Sequence, residues 1–242
     1  MFRVLLLSMM LFSACTLPLP AQDGPLSEQH KPSEPSDGFQ WKSALKQSGI
    51  LLGTVHVANI GNYRVPGGDF FPRYFESVGR VRLGTWGDGD SDRINYLGHP
   101  AMGAVAGFIQ VQNDPTGRAQ AFGSPGYWKS RARATAWAAA FAAQWEIGPV
   151  SEASLGNYGI SSWRKHNGDM TNGTGAVDFV MTPVGGAVWI LTEDAIDEYV
   201  VRRLDRVSGN RAWRLGVSLL NPARSAANLL RLKAPWYRDR PR

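Results

Sequence analysis

Asn95-Tyr-Leu-Gly-His-Pro-Ala-Met-Gly-Ala-Val-Ala-Gly107 sets two polar side chains, Asn95 and His99, directly before Pro100 and a run of small and apolar residues. Proline suits the first turn of a helix, where its missing N–H costs nothing. The stretch therefore reads as a helix opening at Pro100, with His99 at its start and Asn95 in the preceding turn. Gly103 and Gly107 are four residues apart, so they share one face, and Ala104 and Ala106 lie beside them. A surface this small lets a second helix approach closely. Two later stretches look built to meet it: Ala134–Glu152, which carries Glu146 and Glu152, and Val177–Trp189, which carries Asp178. The expected fold is mainly α, one domain of packed, Pro-kinked helices.

Outward toward the C-terminus, the clearest helix is Tyr127–Ser154. It follows a Gly/Pro-rich loop over Asn113–Gly126. Ala134, Trp137, Phe141 and Trp145 form an apolar stripe that Glu152 would continue, while Glu146 lies on the adjacent small-residue face. A carboxylate on such a face must be paired, hydrogen-bonded or protonated; the bland alternative is that both are solvated at a helix end. Pro149 predicts a kink between the two. Leu155–Gly175 is a long Gly/Asn-rich loop holding His166. Ala176–Ser208 reads as a two-part helix. In its first part Asp178, Thr182, Gly185 and Trp189 share a face, and Pro183 removes one backbone bond. In its second part Glu193, Asp194, Asp197 and Glu198 precede Arg202, Arg203 and Arg206, which complements the helix dipole and reads as a solvated face. Glu198 and Arg202 are spaced for an i,i+4 pair. Asn221-Pro222 looks like a cap and first residue of a final helix over Ala223–Lys233, followed by a basic tail to Arg242.

Outward toward the N-terminus, Trp86–Asp92 is an acidic loop. Asp88, Asp90 and Asp92 match the first three ligand positions of an EF-hand, but Arg93 stands at the sharp-turn glycine and His99 at the bidentate glutamate, so calcium is not favoured. Phe70–Leu83 and Trp41–Ile60 read as helices, the latter weakened by Gly49 and Gly53. Residues 39–242 make up the helical domain. Thr16–Asp37 is rich in Pro, Ser and Gln, and residues 15–38 read as a flexible tether.

Residues 1–14 read as a signal peptide, with Arg3, an apolar Val4–Phe12 too short to span a bilayer, and small residues Ser13-Ala14 before Cys15. Small residues before a lone cysteine at the end of an apolar run resemble a bacterial lipoprotein signal, in which that cysteine becomes the lipidated first residue. Phe12 stands where leucine is usual; a plain secretory signal cut near Ala14 or Ala21 is the rival reading. The expected place is the periplasmic side of a membrane, the outer one favoured, with Cys15 as the anchor.

The chain has 242 residues, 43% hydrophobic, which suffices for one real core. Its 19% charged content is too low for a solvated, disordered chain. The net charge of +6 concentrates after Val201. On an exported protein that argues against nucleic acid and leaves contact of the basic C-terminus with anionic lipid as an expectation. The rival is a final helix packed on the core. No run of about twenty residues is free of charges or turn formers, so a polytopic membrane protein is not expected. There is no metalloprotease H-E-x-x-H, Walker loop, dinucleotide fingerprint or G-x-S-x-G elbow. With only His30, His56, His99 and His166 present, a His-rich metal site is not expected and no cofactor is assigned. His99 with Glu146, Glu152 or Asp178 could still hold one ion.

Asn95-Tyr-x-x-His-Pro-x-x-Gly103, Trp145-Glu-x-x-x-x-x-Glu152 and Asp178-x-x-x-Thr-Pro-x-Gly-Gly186 together resemble an uncharacterised family of bacterial envelope proteins, as does Asn221–Arg231. The resemblance covers residues 88–235. It implies a compartment and carries no activity. Two functions from different classes follow. One is a non-catalytic envelope lipoprotein that binds or scaffolds another envelope component; the sequence favours this one and leaves the protein partner open. The other is an envelope enzyme acting on lipid or cell-wall material. There His99 would transfer protons beside Asn95, with Glu146, Glu152 or Asp178 as carboxylate partners.

Overall fold

The helix opened by the central motif is the axis of the molecule. In the computed structural model, which describes residues 38–59, 69–88, 90–155 and 175–239, every residue of His99–Asn113 is buried. A helix apolar or small on all sides belongs in the middle of a bundle, and here helices from both the N-terminal and the C-terminal parts of the domain pack around it. In chain order the elements are α1 (Trp41–Ala58), α2 (Phe70–Val78), a π turn (Ile94–Gly98) running into α3 (His99–Asn113), α4 (Pro115–Arg118), α5 (Pro125–Ile147) and α6 (Glu152–Leu155). Then follow α7 (Ala176–Val180), a π turn (Met181–Gly185), α8 (Gly186–Ile196), a π turn (Asp197–Val201), α9 (Arg202–Leu204), α10 (Arg211–Ser218) and α11 (Pro222–Leu230). No strand occurs among the described residues. The core joins Leu51 and Val55 of α1, Val105, Phe108 and Ile109 of α3, Ala138, Phe141 and Trp145 of α5, Ile190 of α8 and Ala227 of α11.

Glycines set the closest contact. A Cβ on Gly103 would lie 1.8 Å from the Thr182 carbonyl oxygen, and one on Gly186 would lie 2.7 Å from the Gly103 carbonyl carbon. α3 and the π turn before α8 thus touch backbone to backbone, as the small-residue face of α3 anticipates.

Several boundaries differ from the sequence reading. The helical path begins at residue 92, so Pro100 sits inside it and Asn95 lies within the π turn, not ahead of the helix. The wider π turn accommodates the N–H that Pro100 lacks. α5 starts earlier than expected, because Ser124 accepts the Tyr127 N–H and Pro125 takes the first helical position. It also stops at Ile147 instead of kinking. Gly148 is extended, as the residue before a proline prefers, and the chain leaves the helix axis there. The loop expected over Asn113–Gly126 contains α4, capped by the Asp114 carboxylate on Thr116 and Gly117. α2 ends at Val78, short of Leu83. The run Ala176–Leu204 is unbroken over 29 residues and, by length and composition alone, long and apolar enough to cross a membrane. Gly185, Gly186 and Pro183 do not interrupt it, because the π turn absorbs the missing N–H.

The acidic run in that helix is not a solvated face. Glu193, Asp194 and Asp197 are buried. Glu193 accepts the Ala223 and Arg224 N–H groups and so caps α11, a role expected of Asn221; the Asn221 amide instead donates to Asp197. Asp194 accepts from Tyr127, Arg131 and Arg224, and Arg238 bridges Asp197 and Asp205. Glu198 and Arg202 pair at 2.6 Å as their spacing anticipates. Arg231 pairs with Asp239, so Arg224, Arg231 and Arg238 all hold the C-terminal segment onto the fold. Residues 60–68, the loop with His166, His30 and the whole of residues 1–37 lie outside the described residues.

Candidate active site

Three helices bring three of the expected side chains to one point. His99 comes from the first turn of α3, Glu146 from the last turn of α5 and Asp178 from α7. One ligand-capable atom of each lies within 4.8 Å of the others. All three are buried, Glu146 completely, so the reading of the carboxylates as solvated at a helix end fails for Glu146. Its place follows from the small-residue face of α5, where Ala138 and Ala142 allow close approach to neighbours.

The site is held from two sides. His99 Nδ1 lies 3.2 Å from the Thr182 hydroxyl, and Nε2 lies 3.1 Å from Asp178 Oδ1. Thr182 belongs to the π turn forced at Pro183, and Asn95 to the π turn before α3, so both irregular turns aim side chains here. Such turns often mark functional sites. The Asn95 amide donates to Asp88 Oδ1 over 2.9 Å, and Asp88 shares a hydrogen bond with Asp178. The loop carrying Asp88 is pinned to the start of α7 by Ala176 N–H on Thr85 and Val177 N–H on Trp86. Gly175 is needed there, since its Cβ would lie 2.4 Å from the Gly87 carbonyl oxygen.

Burial and mutual repulsion separate the titrations of this cluster. Burial pushes His99 down to about 4, against the pull of Asp88. Burial, then the charge of Asp88 with Glu152 and Asp90, pushes Asp178 up to about 9. Glu146 is raised by burial and by Glu152, Asp178, Asp88 and Asp90. Burial alone would raise Asp88 too, but the Asp90 N–H, the Asn95 amide and Asp178 outweigh it and hold Asp88 below its ordinary value. Thus one carboxylate is held ionised while two others are driven toward the neutral form.

In the tautomer that carries its proton on Nδ1, His99 donates to the Thr182 hydroxyl and turns the Nε2 lone pair toward Asp178 Oδ1. The two atoms are close without hydrogen-bond geometry, and Oδ1 has no other hydrogen-bond partner among the described residues. Two lone pairs at that distance repel, so a proton or a cation belongs between them.

Glu152, expected on the same stripe as Trp145, is half-buried at the start of α6 and acts on the cluster through its charge. Asn95 sits one step back, holding Asp88. Asp88, Asp90 and Thr182 were not expected in the site. Asp88 and Asp90 carried a signal as partial matches to a calcium loop, and Thr182 as the neighbour of Pro183 on the face of Asp178; neither signal placed them beside His99. His56 plays a different part: it stacks on Trp145 at 4.3 Å, lies 3.2 Å from the Val150 carbonyl, and is lowered by burial. No family model, curated protein or solved structure matches the chain, so the resemblance to envelope proteins rests on its motifs.

Proposed function

We propose that this chain is an exported envelope protein, anchored through Cys15, whose helical domain carries an acid–base active site of His99, Asp178 and Glu146. The observation that supports it is the convergence of these three buried groups from three separate helices. Each is costly to bury; placing all three together raises the cost, and active sites accept such costs. In this reading Asp178 is the proton donor, His99 Nε2 its exchange partner, and Asp88 the fixed negative charge. Thr182 and Asn95 position His99 and Asp88 respectively. The substrate class is envelope lipid or cell-wall material.

The test is release of fatty acid from phospholipid vesicles and of soluble fragments from peptidoglycan by the purified chain. His99→Gln and Asp178→Asn are expected to lower the active reaction by about a hundredfold or more. Equal activity in wild type and both variants would remove the active site from this cluster.

The burial of the cluster favours a second reading, a non-catalytic binding or scaffolding module in which the polar centre fixes helix register. That reading expects no turnover. It also expects His99→Ala to destabilise by about 3 kcal/mol or more, because Asp178 loses its neighbour in the core.

A further inference from the structure

The donor set at the centre suits a metal ion as well as a proton. We infer that His99, Glu146 and Asp178 form a mononuclear site for a first-row divalent cation. This rests on the reading that the cluster is a functional centre, and it names what that centre holds.

Four observations carry it. First, the donors are one imidazole nitrogen and two carboxylate oxygens, a set that suits zinc, iron or manganese and offers no thiolate. Second, their spacing is nearly right. Ligands about 2.1 Å from a tetrahedral ion lie roughly 3.4 Å apart; the pair His99 Nε2 and Asp178 Oδ1 is already at 3.1 Å and all three lie within 4.8 Å. A shift of up to about 1.5 Å in the Glu146 side chain closes the set. Third, Asp178 Oδ1 is buried and lacks a hydrogen-bond partner while aimed at the imidazole. A cation between the two lone pairs turns this repulsion into coordination. Fourth, the supporting contacts are those of a metal site. A ligating histidine donates its other N–H to a fixed acceptor, here the Thr182 hydroxyl, and a ligating carboxylate is held by a further polar group, here Asp88 backed by Asn95. Glu146 and the Asp178–Asp88 pair, which shares one proton across its hydrogen bond, together carry two negative charges beside a neutral imidazole and so balance a divalent ion, as a buried site requires.

The ion would serve the proposed chemistry by activating a water or polarising a substrate oxygen. The residues of the chain would then act as ligands and their supports.

The test is calorimetric titration of the full chain, purified in detergent and stripped with chelator, with zinc and separately with manganese. One ion per chain is expected. His99→Gln, Glu146→Gln and Asp178→Asn should each weaken it about a hundredfold, whereas Glu198→Gln on the outer surface should not. The thermal midpoint of the wild type should rise with ion concentration. Should the variants fold poorly, cobalt loaded into the wild type supplies an independent readout: the intense visible bands of a low-coordinate nitrogen/oxygen site. Absence of binding, or binding that persists through all three substitutions, overturns the inference. If binding is absent yet His99→Gln abolishes turnover, the acid–base site stands without an ion. If the ion binds as expected and no turnover is found in any assay, the centre is a structural metal site and the enzyme reading fails instead.

Discussion

Asp178 and His99 are displaced in opposite directions from their ordinary values, and that gives stability an unusual pH dependence. Asp178 moves from 3.8 to about 9. Between those values the folded chain keeps a proton that the unfolded chain has released, so its contribution is complete below 3.8 and is lost as pH rises through 9. Glu146 is raised as well and acts in the same sense. His99 moves from 6.5 to about 4. There the unfolded chain binds the extra proton, so stability is complete above 6.5 and falls as pH drops toward 4. Between about pH 4 and 6.5 the His99 and Asp178 slopes oppose and cancel, with Glu146 tipping the balance downward, so the metal-stripped chain should show no stability maximum at neutral pH and should lose thermal stability from pH 6.5 up to 9. Asp178→Asn should shrink the alkaline limb, and His99→Gln should uncover the same downward slope below pH 6.5. Melting curves between pH 5 and 9 check this; an alkaline limb in Asp178→Asn parallel to that of the wild type would mean that Asp178 is ionised in the fold. His99, Glu146 and Asp178 were legible as candidates because each is a polar residue in a helical pattern of small and apolar neighbours. Asp88 was not, because its place depends on a loop docking against α7, which no local periodicity encodes.

Helices are where the sequence spoke most clearly and where its one systematic error lies. Repeating small residues on α3 announced a close helix contact, and Gly103 makes it, against the Thr182 backbone. Gly103→Ala drives a methyl into a carbonyl that cannot move without shifting the π turn. Overpacking of about 3 kcal/mol outweighs the helix propensity gain of about 1 kcal/mol, a net loss of about 2 kcal/mol. Gly49→Ala in α1 meets nothing within 4 Å and should stabilise by up to about 1 kcal/mol. Denaturant unfolding of the two variants separates them by sign. If Gly103→Ala proved neutral, α3 and the π turn would not be in backbone contact. The error concerns Glu193, Asp194 and Asp197, read as solvated because they form a dense charge run. Their partners, Arg131, Arg224, Arg238 and the start of α11, lie 24 or more residues away in sequence. A charge pattern along one helix records its own dipole and i,i+4 pairs, and it is silent about a second helix that brings arginines to the same spot. Prolines misled in a related way. Pro149 ends a helix and Pro183 does not, because a π turn and tight packing around Thr182 give the second one a place.

At the scale of the molecule, the decisive feature is what the chain joins: a helical bundle with a buried polar centre, and an N-terminal segment that reads as an export and anchoring signal. Parts of the outer surface are apolar. Trp41 and Leu45 on α1 are exposed, as are Val180, Val184 and Val188 in one stripe along the 29-residue helical run. Such residues tolerate a lipid surface nearby better than a freely diffusing protein needs. The anchor reading is testable at one atom. If Cys15 carries the lipid, cells supplied with labelled palmitate should label the wild type, and the protein should sediment with membranes. Cys15→Ser should remove the label, since the hydroxyl is not a substrate for thioether lipidation, and uncut precursor should accumulate. One acyl chain holds a protein only marginally, whereas several hold it firmly, so release of the wild type by high salt should be slight. Should the signal instead be cut near Ala14 or Ala21, Cys15→Ser would be processed and located like the wild type, without label in either. That outcome would leave the domain without a lipid anchor. The apolar stripe on the helical run would then be the surface that has to explain any membrane association that remains.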